Sequence, residues 1–451
     1  MVDKTTKLGG LGRRQFTKTL AGMGLSTTLI KNISQEKLKD LTGNPTQEVP
    51  RVKAYKPPES AEEIESIDDL ELEYYTIDRD KWIRVETAID AANRVQKRIN
   101  NIDTTGLIST AVSTGTKTEK KGKKLIVKIN KVINDDENID ITNHSDKNNR
   151  KRNNFIYEPA VDKKQLSDYI GGSATGYIGD KDSPEATVEG IPIEVEERIH
   201  SIQHQCDAWN TDSDYYQYNY PDCPGGAACN VRGSGWDGYT SGGTTCVRVY
   251  NYNKGKYLML TAGHVAFEVE EPDDPGEPDH AGEGRGVGQH SQFMGNVETV
   301  DSCYAKNKDW SDNYPIDMAT FNSDNLSGRD HTSRIANDNG SYDEDIVGAA
   351  HSNFIADLED DNEVITKQGK VTGRCDGIIY EYDQNNPRGS TVTIWPRTEN
   401  GDSGCPYIYT DDSGDTYSIA LHIHGTKNGS NEMAVGTATY SIINEFNLSI
   451  F

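Results

Sequence analysis

Three residues whose side chains can together transfer an acyl group lie far apart in the chain. They are His264 in "LMLTAGHVAF", Asp317 in "PIDMATF" and Ser403 in "TENGDSGCPYIY". A serine nucleophile needs a base that takes its proton, a carboxylate that orients the base, and N–H groups that receive the oxyanion. Taken singly, His264 also fits a buried core histidine, and "NGDSG" also fits a surface turn, because Gly, Asp, Asn and Ser favour turns. The three motifs together favour acyl transfer.

The sequences TAGH and GDSG, in this order, resemble the signature pair of the chymotrypsin-like serine peptidases. The resemblance covers roughly residues 200–451. It implies a mainly β catalytic domain of two packed six-stranded antiparallel β-barrels with a C-terminal helix. It implies His264 as general base, Asp317 as the orienting acid and Ser403 as nucleophile. It further implies an oxyanion hole formed by the backbone N–H groups of Gly401 and Ser403.

The predicted pocket residues most resemble those of microbial glutamyl endopeptidases and other streptogrisin-type secreted enzymes. Trypsins have an Asp six residues before the nucleophile, where this chain has Arg397, so a pocket for Lys or Arg is not expected. Glutamyl-specific relatives have a Thr or Ser five residues before the nucleophile and a His on the following strand, as Thr398 and His422 are here. A hydroxyl and an imidazolium would give charge-assisted hydrogen bonds to a substrate carboxylate. His424 and Gly425 continue this predicted wall; the alternative for His422 is a histidine bonded within the sheet.

Some features depart from the family pattern. Cys405 follows GDSG where relatives usually have Gly, and residues 268–289 form an insertion after the predicted base. An activating Ile-Val-Gly-Gly N-terminus is not visible. Asp301, Asp309 and Asp312 remain rival acids, in more polar surroundings than Asp317.

The charge of the chain is strongly acidic and unevenly distributed. The net charge is −25, and residues 198–451 contribute 39 acidic and 16 basic side chains. Such a surface repels the phosphates of nucleic acid, so a nucleic-acid partner is not expected. Dense carboxylates are tolerated where salt screens their repulsion, which favours a halophilic source, a haloarchaeon or its virus. An ordinary acidic secreted domain is the alternative.

The cysteines and histidines indicate no metal site or cofactor. None of the cysteines has zinc-type spacing, and His280, His290, His422 and His424 form no recognised ligand set. Cysteines confined to one part of the chain favour disulfide bonds made after export, and their odd number leaves the pairing open. All seven lie beyond residue 198: Cys206, Cys223, Cys229, Cys246, Cys303, Cys375 and Cys405.

The first 31 residues resemble a twin-arginine export signal. Arg13 and Arg14 precede Phe16 and Lys18, and a mildly apolar run extends to Ile30. This run is too short to span a membrane, and no membrane span is predicted elsewhere. The prediction is therefore secretion; a disordered basic start is the alternative.

Residues 32–75 are polar and acidic and predict a linker. Residues 76–198 predict a small α/β prodomain, a propeptide or accessory domain, with an amphipathic helix at 78–99, a hairpin of 106–114 and 123–132, and a strand at 186–198. An independent binding domain is the alternative. Glu197, at the end of "EVEER", is a candidate self-cleavage site if the enzyme prefers Glu.

Residues 199–451 alternate short apolar runs with Gly, Asp and Asn loops, which predicts a β-barrel or sandwich. Only 438–451 predicts a helix. The sequence thus predicts a monomeric, secreted serine endopeptidase, made as a zymogen, whose partners are a peptide or protein substrate and its own propeptide. A catalytically inactive homologue that serves as a surface or binding module is the alternative.

Overall fold

The structure is a computed structural model of the chain, and it describes part of the sequence. The described residues are 47–56, 70–102, 107–114, 122–134, 155–157, 159, 161–202, 220–232, 239–266, 286–289, 292–301, 316–323, 329–337, 339–384, 386, 389–395, 398–399, 401–428 and 431–450. The export signal, Arg397, Cys206, Cys303, Asp309 and Asp312 lie outside them. Residues 47–202 are called the N-terminal part below, and residues 220–450 the C-terminal part.

The N-terminal part holds seven strands and two helices among its described residues. They are β1 (Glu48–Lys56), β2 (Glu71–Asp78), α1 (Arg79–Ile99), β3 (Ile108–Ser113), β4 (Lys124–Asn134), β5 (Phe155–Tyr157), α2 (Lys163–Ile170), β6 (Ser173–Asp180) and β7 (Ser183–Ile202).

The C-terminal part is mainly β. Its strands are β8 (Cys223–Gly225), β9 (Ala228–Arg232), β10 (Tyr239–Thr244), β11 (Arg248–Asn251), β12 (Lys256–Thr261), β13 (Gly286–Gln289), β14 (Gln292–Asp301), β15 (Met318–Asn322), β16 (His331–Ala336), β17 (Tyr342–Ala350), β18 (Val364–Gly369), β19 (Gly373–Asp383), β20 (Thr391–Ile394), β21 (Pro406–Thr410), β22 (Thr416–Asn428), β23 (Asn431–Ala438) and β24 (Leu448–Ile450). Its helical segments are the 3₁₀ turn Gly263–Val265, α3 (Ser352–Asp361) and α4 (Thr439–Phe446).

Six strands of the C-terminal part close into a barrel. Each pairs antiparallel with the next in the order β18, β19, β20, β23, β22, β21, and β21 pairs back to β18. Closure pairs both edges of every strand. The interior contains Ile365, Ile379, Val392, Tyr407 and Ile419, all nearly fully buried. The prediction of a six-stranded barrel is confirmed here.

The second sheet of the C-terminal part is a half-barrel of eight strands. Its order is β10, β9, β13, β14, β15, β12, β11, β24. Its apolar side includes Met259, Val287, Met294 and Phe321. The second sheet is predicted to close into a six-stranded barrel. It is instead a half-barrel of eight strands, to which the chain after α4 adds β24 by pairing with β11.

The N-terminal part is continuous with the sheet of the closed barrel. The hairpin of β1 and β2 joins β17, β3 pairs with β19, and β7 pairs with β22. Residues 48–56 and 71–75, predicted as linker, therefore form strands instead. Their apolar residues Val52, Ala54 and Leu72 pack into the cores of the C-terminal part, which composition alone does not reveal.

The helix at 78–99 and the hairpin of the predicted prodomain are both present. α1 buries Val85, Ala92, Val95 and Ile99 along one face, and β3 pairs antiparallel with β4. The predicted short strand at 186–198 is part of the 20-residue β7, which bends near Gly190, where φ is +74°. The domain boundary near residue 198 remains a prediction.

Two helical predictions need correction. α3 was not predicted; Phe354, Ile355 and Leu358 give it one apolar face after the Gly-Ala-Ala end of β17. The predicted C-terminal helix ends at Phe446, because Asn447 adopts a left-handed conformation and the chain then becomes β24. Within the described residues, no helix has the length and apolar character to cross a membrane.

Candidate active site

His264 and Asp317 contact each other through two hydrogen bonds. β12 ends at Thr261, and a 3₁₀ turn then carries His264 beyond the strand. Asp317 immediately precedes β15, which pairs with β12, so the pairing brings the two residues together. The Nδ1 atom of His264 lies 2.6 Å from Oδ2 of Asp317, and the His264 backbone N–H donates to Oδ1 at 2.9 Å. Asp317 is 4% exposed, so this carboxylate can fix both the position and the tautomer of the imidazole.

Ser403 lies on a tight turn between β20 and β21. Gly401 and Gly404 both have positive φ, +105° and +92°. A Cβ on residue 404 would lie 2.2 Å from the Thr244 carbonyl oxygen and 2.3 Å from Oγ1 of Thr261, so only glycine fits there. The second Gly of GDSG is therefore required for the turn to pack against the end of β12.

The turns that carry Ser403 and His264 pack against each other. A Cβ on residue 404 would lie 3.0 Å from the backbone nitrogen of Ala262, two residues before His264. A Cβ on Gly243 would lie 2.6 Å from the Val265 side chain and 2.8 Å from the Ser403 carbonyl oxygen. The sequences TAGH and GDSG, 139 positions apart from His264 to Ser403, thus form one site between the two sheets.

Thr244, at the end of β10, joins the two sheets at this site. Its backbone N–H donates to the Ser403 carbonyl at 2.8 Å, and its hydroxyl donates to the Gly401 carbonyl at 2.9 Å. Thr261 Oγ1 in turn donates to the Thr244 carbonyl at 2.8 Å. Thr244, a residue of the half-barrel, thus holds the Gly401 and Ser403 carbonyls of the nucleophile turn in place.

Asp402 anchors the turn from the closed barrel. Its Oδ2 lies 2.5 Å from Nζ of Lys367, both side chains are fully buried, and its Oδ1 accepts the backbone N–H groups of Val371 and Thr372. Burial alone would raise the pKa of Asp402, but the Lys367 ammonium holds it below its usual range. The Asp402 carboxylate is therefore ionised and paired with a buried cation of the closed barrel.

The predicted pocket residues Thr398 and His422 also meet. Thr398 Oγ1 lies 2.8 Å from Nε2 of His422, and the hydroxyl of Tyr407 lies 2.7 Å from Nδ1. His422 is fully buried, and burial together with the nearby Lys367 charge holds its pKa well below the usual value. Without substrate the imidazole is thus neutral at neutral pH, whereas the predicted imidazolium concerns a bound substrate carboxylate and remains a prediction.

The remaining predicted residues of the wall follow on β22. His424 is 9% exposed, and Gly425 is opposite Ala434 of β23. A register shift between His422 and His424 interrupts the regular alternation on which a shared face would depend. Arg397 lies outside the described residues. Of the rival acids, Asp301 ends β14 and pairs with Met318 through the backbone.

No disulfide is present among the five cysteines of the described residues, and Cys206 and Cys303 lie outside them, so the predicted disulfide framework has no support here. Burial raises the pKa of Cys223 to about 12 and that of Cys229 to about 11, so these thiols are not reactive at neutral pH. Cys405 is fully buried in the barrel core, and its N–H donates to the Asp402 carbonyl. Its thiol packs in the same apolar core as Tyr407 and Ile419. In the part of the chain that the structure describes, no cluster of His, Cys, Asp and Glu could hold a metal ion.

Thr244, Lys367 and Tyr407 also contribute to the site, although no sequence motif predicted them. Tyr407 lies four residues after Ser403 on β21, so strand alternation could have placed it beside the nucleophile turn. Thr244 and Lys367 carry no local signal, because their partners lie 157 and 35 positions away.

Comparison with protein-family models gives no match, and no curated protein matches. Among solved structures, the chain is similar to a glutamic acid specific serine protease described as using a novel histidine triad in substrate binding; identity is 14%, coverage 51% of this chain and 100% of that one, and TM-score 0.33. It is also similar to an inactive form of the Rv3671c protease, from Mycobacterium tuberculosis H37Rv, at 13% identity, 49% and 88% coverage and TM-score 0.26. A third similar structure is the NS6 protease from murine norovirus 1. Its identity is 16%, the match covers 40% of this chain and 80% of that one, and the TM-score is 0.18. Because these identities and TM-scores are low, the assignment of a function has to rest on the residues of the candidate site.

Proposed function

We propose that the chain is a serine endopeptidase that hydrolyses peptide bonds through Ser403, His264 and Asp317. The observation that carries the proposal is the bond between His264 Nδ1 and Asp317 Oδ2, in a turn packed against the glycine-framed turn of Ser403. That bond makes Nε2 the ring nitrogen that serves the hydroxyl.

In the proposed reaction, Oγ of Ser403 attacks the carbonyl carbon of the scissile bond while His264 takes its proton. The same proton then passes to the leaving amine, and the acyl group remains as an ester on Ser403. Water, deprotonated by His264, then attacks the ester; its C–O bond breaks, the acid product leaves, and His264 returns the proton to Oγ of Ser403. The N–H groups of Gly401 and Ser403 would stabilise the oxyanion in both steps, an effect worth about 3 kcal/mol per donor in comparable sites.

We further propose that Thr398 and His422 read the P1 side chain, with Glu as the preferred residue. Arg397, His424 and Gly425 are proposed neighbours of this pocket. A bound carboxylate would raise the pKa of the neutral His422, so binding should take up a proton. The preference for Glu over Gln at P1 should therefore strengthen as the pH falls from 8 to 5.5. Ratios of kcat/KM for matched Glu and Gln peptides measure this, and a ratio that rises with pH would contradict it.

Export through the twin-arginine route and a working environment of high salt are also proposed. They rest on the Arg13-Arg14 motif and on the excess of acidic residues after residue 198. The structure describes none of residues 1–46, so these proposals stand on the sequence alone.

Labelling with a fluorophosphonate in molar salt tests the proposed function directly. The reagent forms a bond between Oγ of Ser403 and phosphorus with loss of fluoride, and it requires an activated serine. We expect labelling of the folded protein and its loss in Ser403→Ala and His264→Ala. Ser413→Ala, in an exposed turn of the same part, is the matched control and should label normally. Absence of labelling in the unmodified protein would favour the inactive homologue.

A further inference from the structure

We propose that Tyr407 is a positioning residue of the predicted P1 pocket, whose hydroxyl fixes the tautomer of His422 that carries its proton on Nε2. Through this tautomer the pocket presents the Thr398 hydroxyl as a hydrogen-bond donor. The substrate class that follows is a peptide whose P1 side chain ends in an acceptor oxygen, as Glu and Gln do. This inference rests on the proposed peptidase function and on the pocket proposed with it.

Three side chains form one continuous row of hydrogen bonds. The Tyr407 hydroxyl lies 2.7 Å from Nδ1 of His422, and Nε2 of the same ring lies 2.8 Å from Oγ1 of Thr398. Tyr407 and His422 are fully buried, whereas Thr398 is partly exposed. The row therefore leads from the core of the closed barrel to a hydroxyl that a substrate side chain can reach.

The direction of these hydrogen bonds follows from the Tyr407 hydroxyl. In a neutral imidazole, one ring nitrogen donates and the other accepts. Tyr407 packs in an apolar cluster with Ile419 and Ala434, and within the described residues the partner of its hydroxyl is Nδ1 of His422. A buried O–H without an acceptor is costly, so the hydroxyl donates to Nδ1. Burial raises the pKa of Tyr407 well above its usual value, so the hydroxyl keeps this proton.

The position of the ring proton decides what Thr398 offers to a substrate. With Nδ1 as the acceptor, Nε2 carries the proton and donates to Oγ1 of Thr398. The O–H of Thr398 must then point away from the ring of His422, where it can donate to a P1 side chain. A carboxylate is the best acceptor, because charge shortens and strengthens the bond, and an amide oxygen follows. An aliphatic side chain would leave this donor without a partner.

The closed barrel holds Tyr407 in place beside the ring of His422. Tyr407 lies on β21 and pairs with Lys367 of β18 on one side and with Ala420 of β22 on the other. Its ring also lies against β23, since a Cβ on Gly436 would be 2.9 Å from Cε2 of Tyr407. Three neighbouring strands thus confine the aromatic ring, and the hydroxyl keeps a fixed position relative to Nδ1.

Nuclear magnetic resonance of the full chain with ¹⁵N-labelled histidine tests the tautomer. The ¹⁵N chemical shifts of a neutral imidazole depend on which nitrogen carries the proton, and the His422 signals are those lost in His422→Gln. We expect the Nε2–H form in the unmodified protein at neutral pH. We expect a mixture of tautomers in Tyr407→Phe, where Nδ1 loses its donor. The Nδ1–H form in the unmodified protein would overturn the inference.

Peptides that differ only at P1 test the consequence for specificity. In Tyr407→Phe we expect the ratio of kcat/KM for Glu over norleucine to fall about tenfold, because the donor at Thr398 is no longer fixed. Hydrolysis of the norleucine peptide and fluorophosphonate labelling of Ser403 should change little. Tyr409→Phe is the matched control: Tyr409 is half-buried on the same strand and packs against Phe354, so the ratio should stay unchanged.

The outcomes separate this inference from the function on which it rests. If Ser403 labels in every variant while Tyr407→Phe changes neither the tautomer nor the ratio of Glu to norleucine, the inference fails. If the unmodified protein does not label, the proposed function fails, and the ring signals alone then decide the tautomer of His422.

Discussion

The two parts of the chain differ in net charge, and the same difference recurs in the ion pairs between them. The N-terminal part supplies the basic member of a series of ion pairs, and the C-terminal part supplies the acidic member. These pairs are Arg51–Asp357, Lys53–Asp411, Lys81–Asp361, Arg84–Asp360, Lys123–Glu359, Lys123–Asp360, Lys128–Glu381, Lys128–Asp383 and Arg198–Glu381.

Several of these acids are buried, which makes them dependent on their partners. Burial raises the pKa of Asp357 and of Glu359, whereas the charges of Arg198 and Lys128 hold that of Glu381 below its usual range despite burial. Breaking a buried pair from one side leaves an uncompensated charge and costs about 3–5 kcal/mol. The buried acids Asp357, Glu359 and Glu381 of the C-terminal part thus have their cations in the N-terminal part. The buried Asp402, in contrast, has Lys367 of its own part.

The largest effect is expected where the C-terminal part supplies its own cation. Lys367→Met leaves the Asp402 carboxylate buried without an ammonium, so the free energy of unfolding should fall by about 3–5 kcal/mol. Fluorophosphonate labelling of Ser403 should fall as well, because the Asp402 carboxylate accepts the backbone N–H groups of Val371 and Thr372 and so anchors the turn that carries Ser403. Denaturant titration measures the stability. The double variant Lys367→Met/Asp402→Asn should regain most of it; no recovery would mean that packing, not charge, is responsible.

A smaller effect is expected for a cation from the N-terminal part. Arg51 is fully buried and lies 3.0 Å from Asp357 and 2.7 Å from Glu86. Arg51→Met should lower the free energy of unfolding by about 3 kcal/mol while the labelling rate of Ser403 stays unchanged. Arg334→Met is the matched control: its pair with Asp345 is half exposed, so we expect a loss below about 1 kcal/mol. A labelling rate that fell with Arg51→Met would remove the distinction between the two parts.

The smallest effect concerns the loss of stability at acidic pH, for which two buried histidines of the C-terminal part should be responsible. Burial lowers the pKa of His331 to about 4 and that of His351 to about 3. The unfolded chain binds these protons near pH 6.5 and the folded chain does not, so stability falls as the pH drops below 6.5. Each histidine should contribute about 1 kcal/mol of loss between pH 6.5 and 5.5. His331→Asn should flatten this dependence in urea titrations at several pH values; an unchanged slope would contradict the assignment.

Local patterns were sufficient to predict much of the C-terminal part. Three features of the candidate site have the predicted local structure. The apolar run before His264 is a strand, Asp317 directly precedes a strand, and Ser403 lies on a turn framed by two glycines. Prediction failed where partners were distant in sequence. Residues 48–56 are polar enough to suggest a linker, yet residues 49–52, 54 and 55 are buried, because β1 pairs with β2 and with the distant β17.

By itself, the sequence determined the candidate triad, the β-rich C-terminal part, the helix at 78–99 and the uneven charge, because all of these depend on residue type and short-range spacing. The tertiary structure decided the rest. It brought Tyr407 and Thr398 to the two ring nitrogens of His422, gave Asp402 its Lys367, and laid β7 on β22. Strand pairing and buried charge pairs join positions tens to hundreds of residues apart, and no local pattern specifies which of many acids and bases will meet.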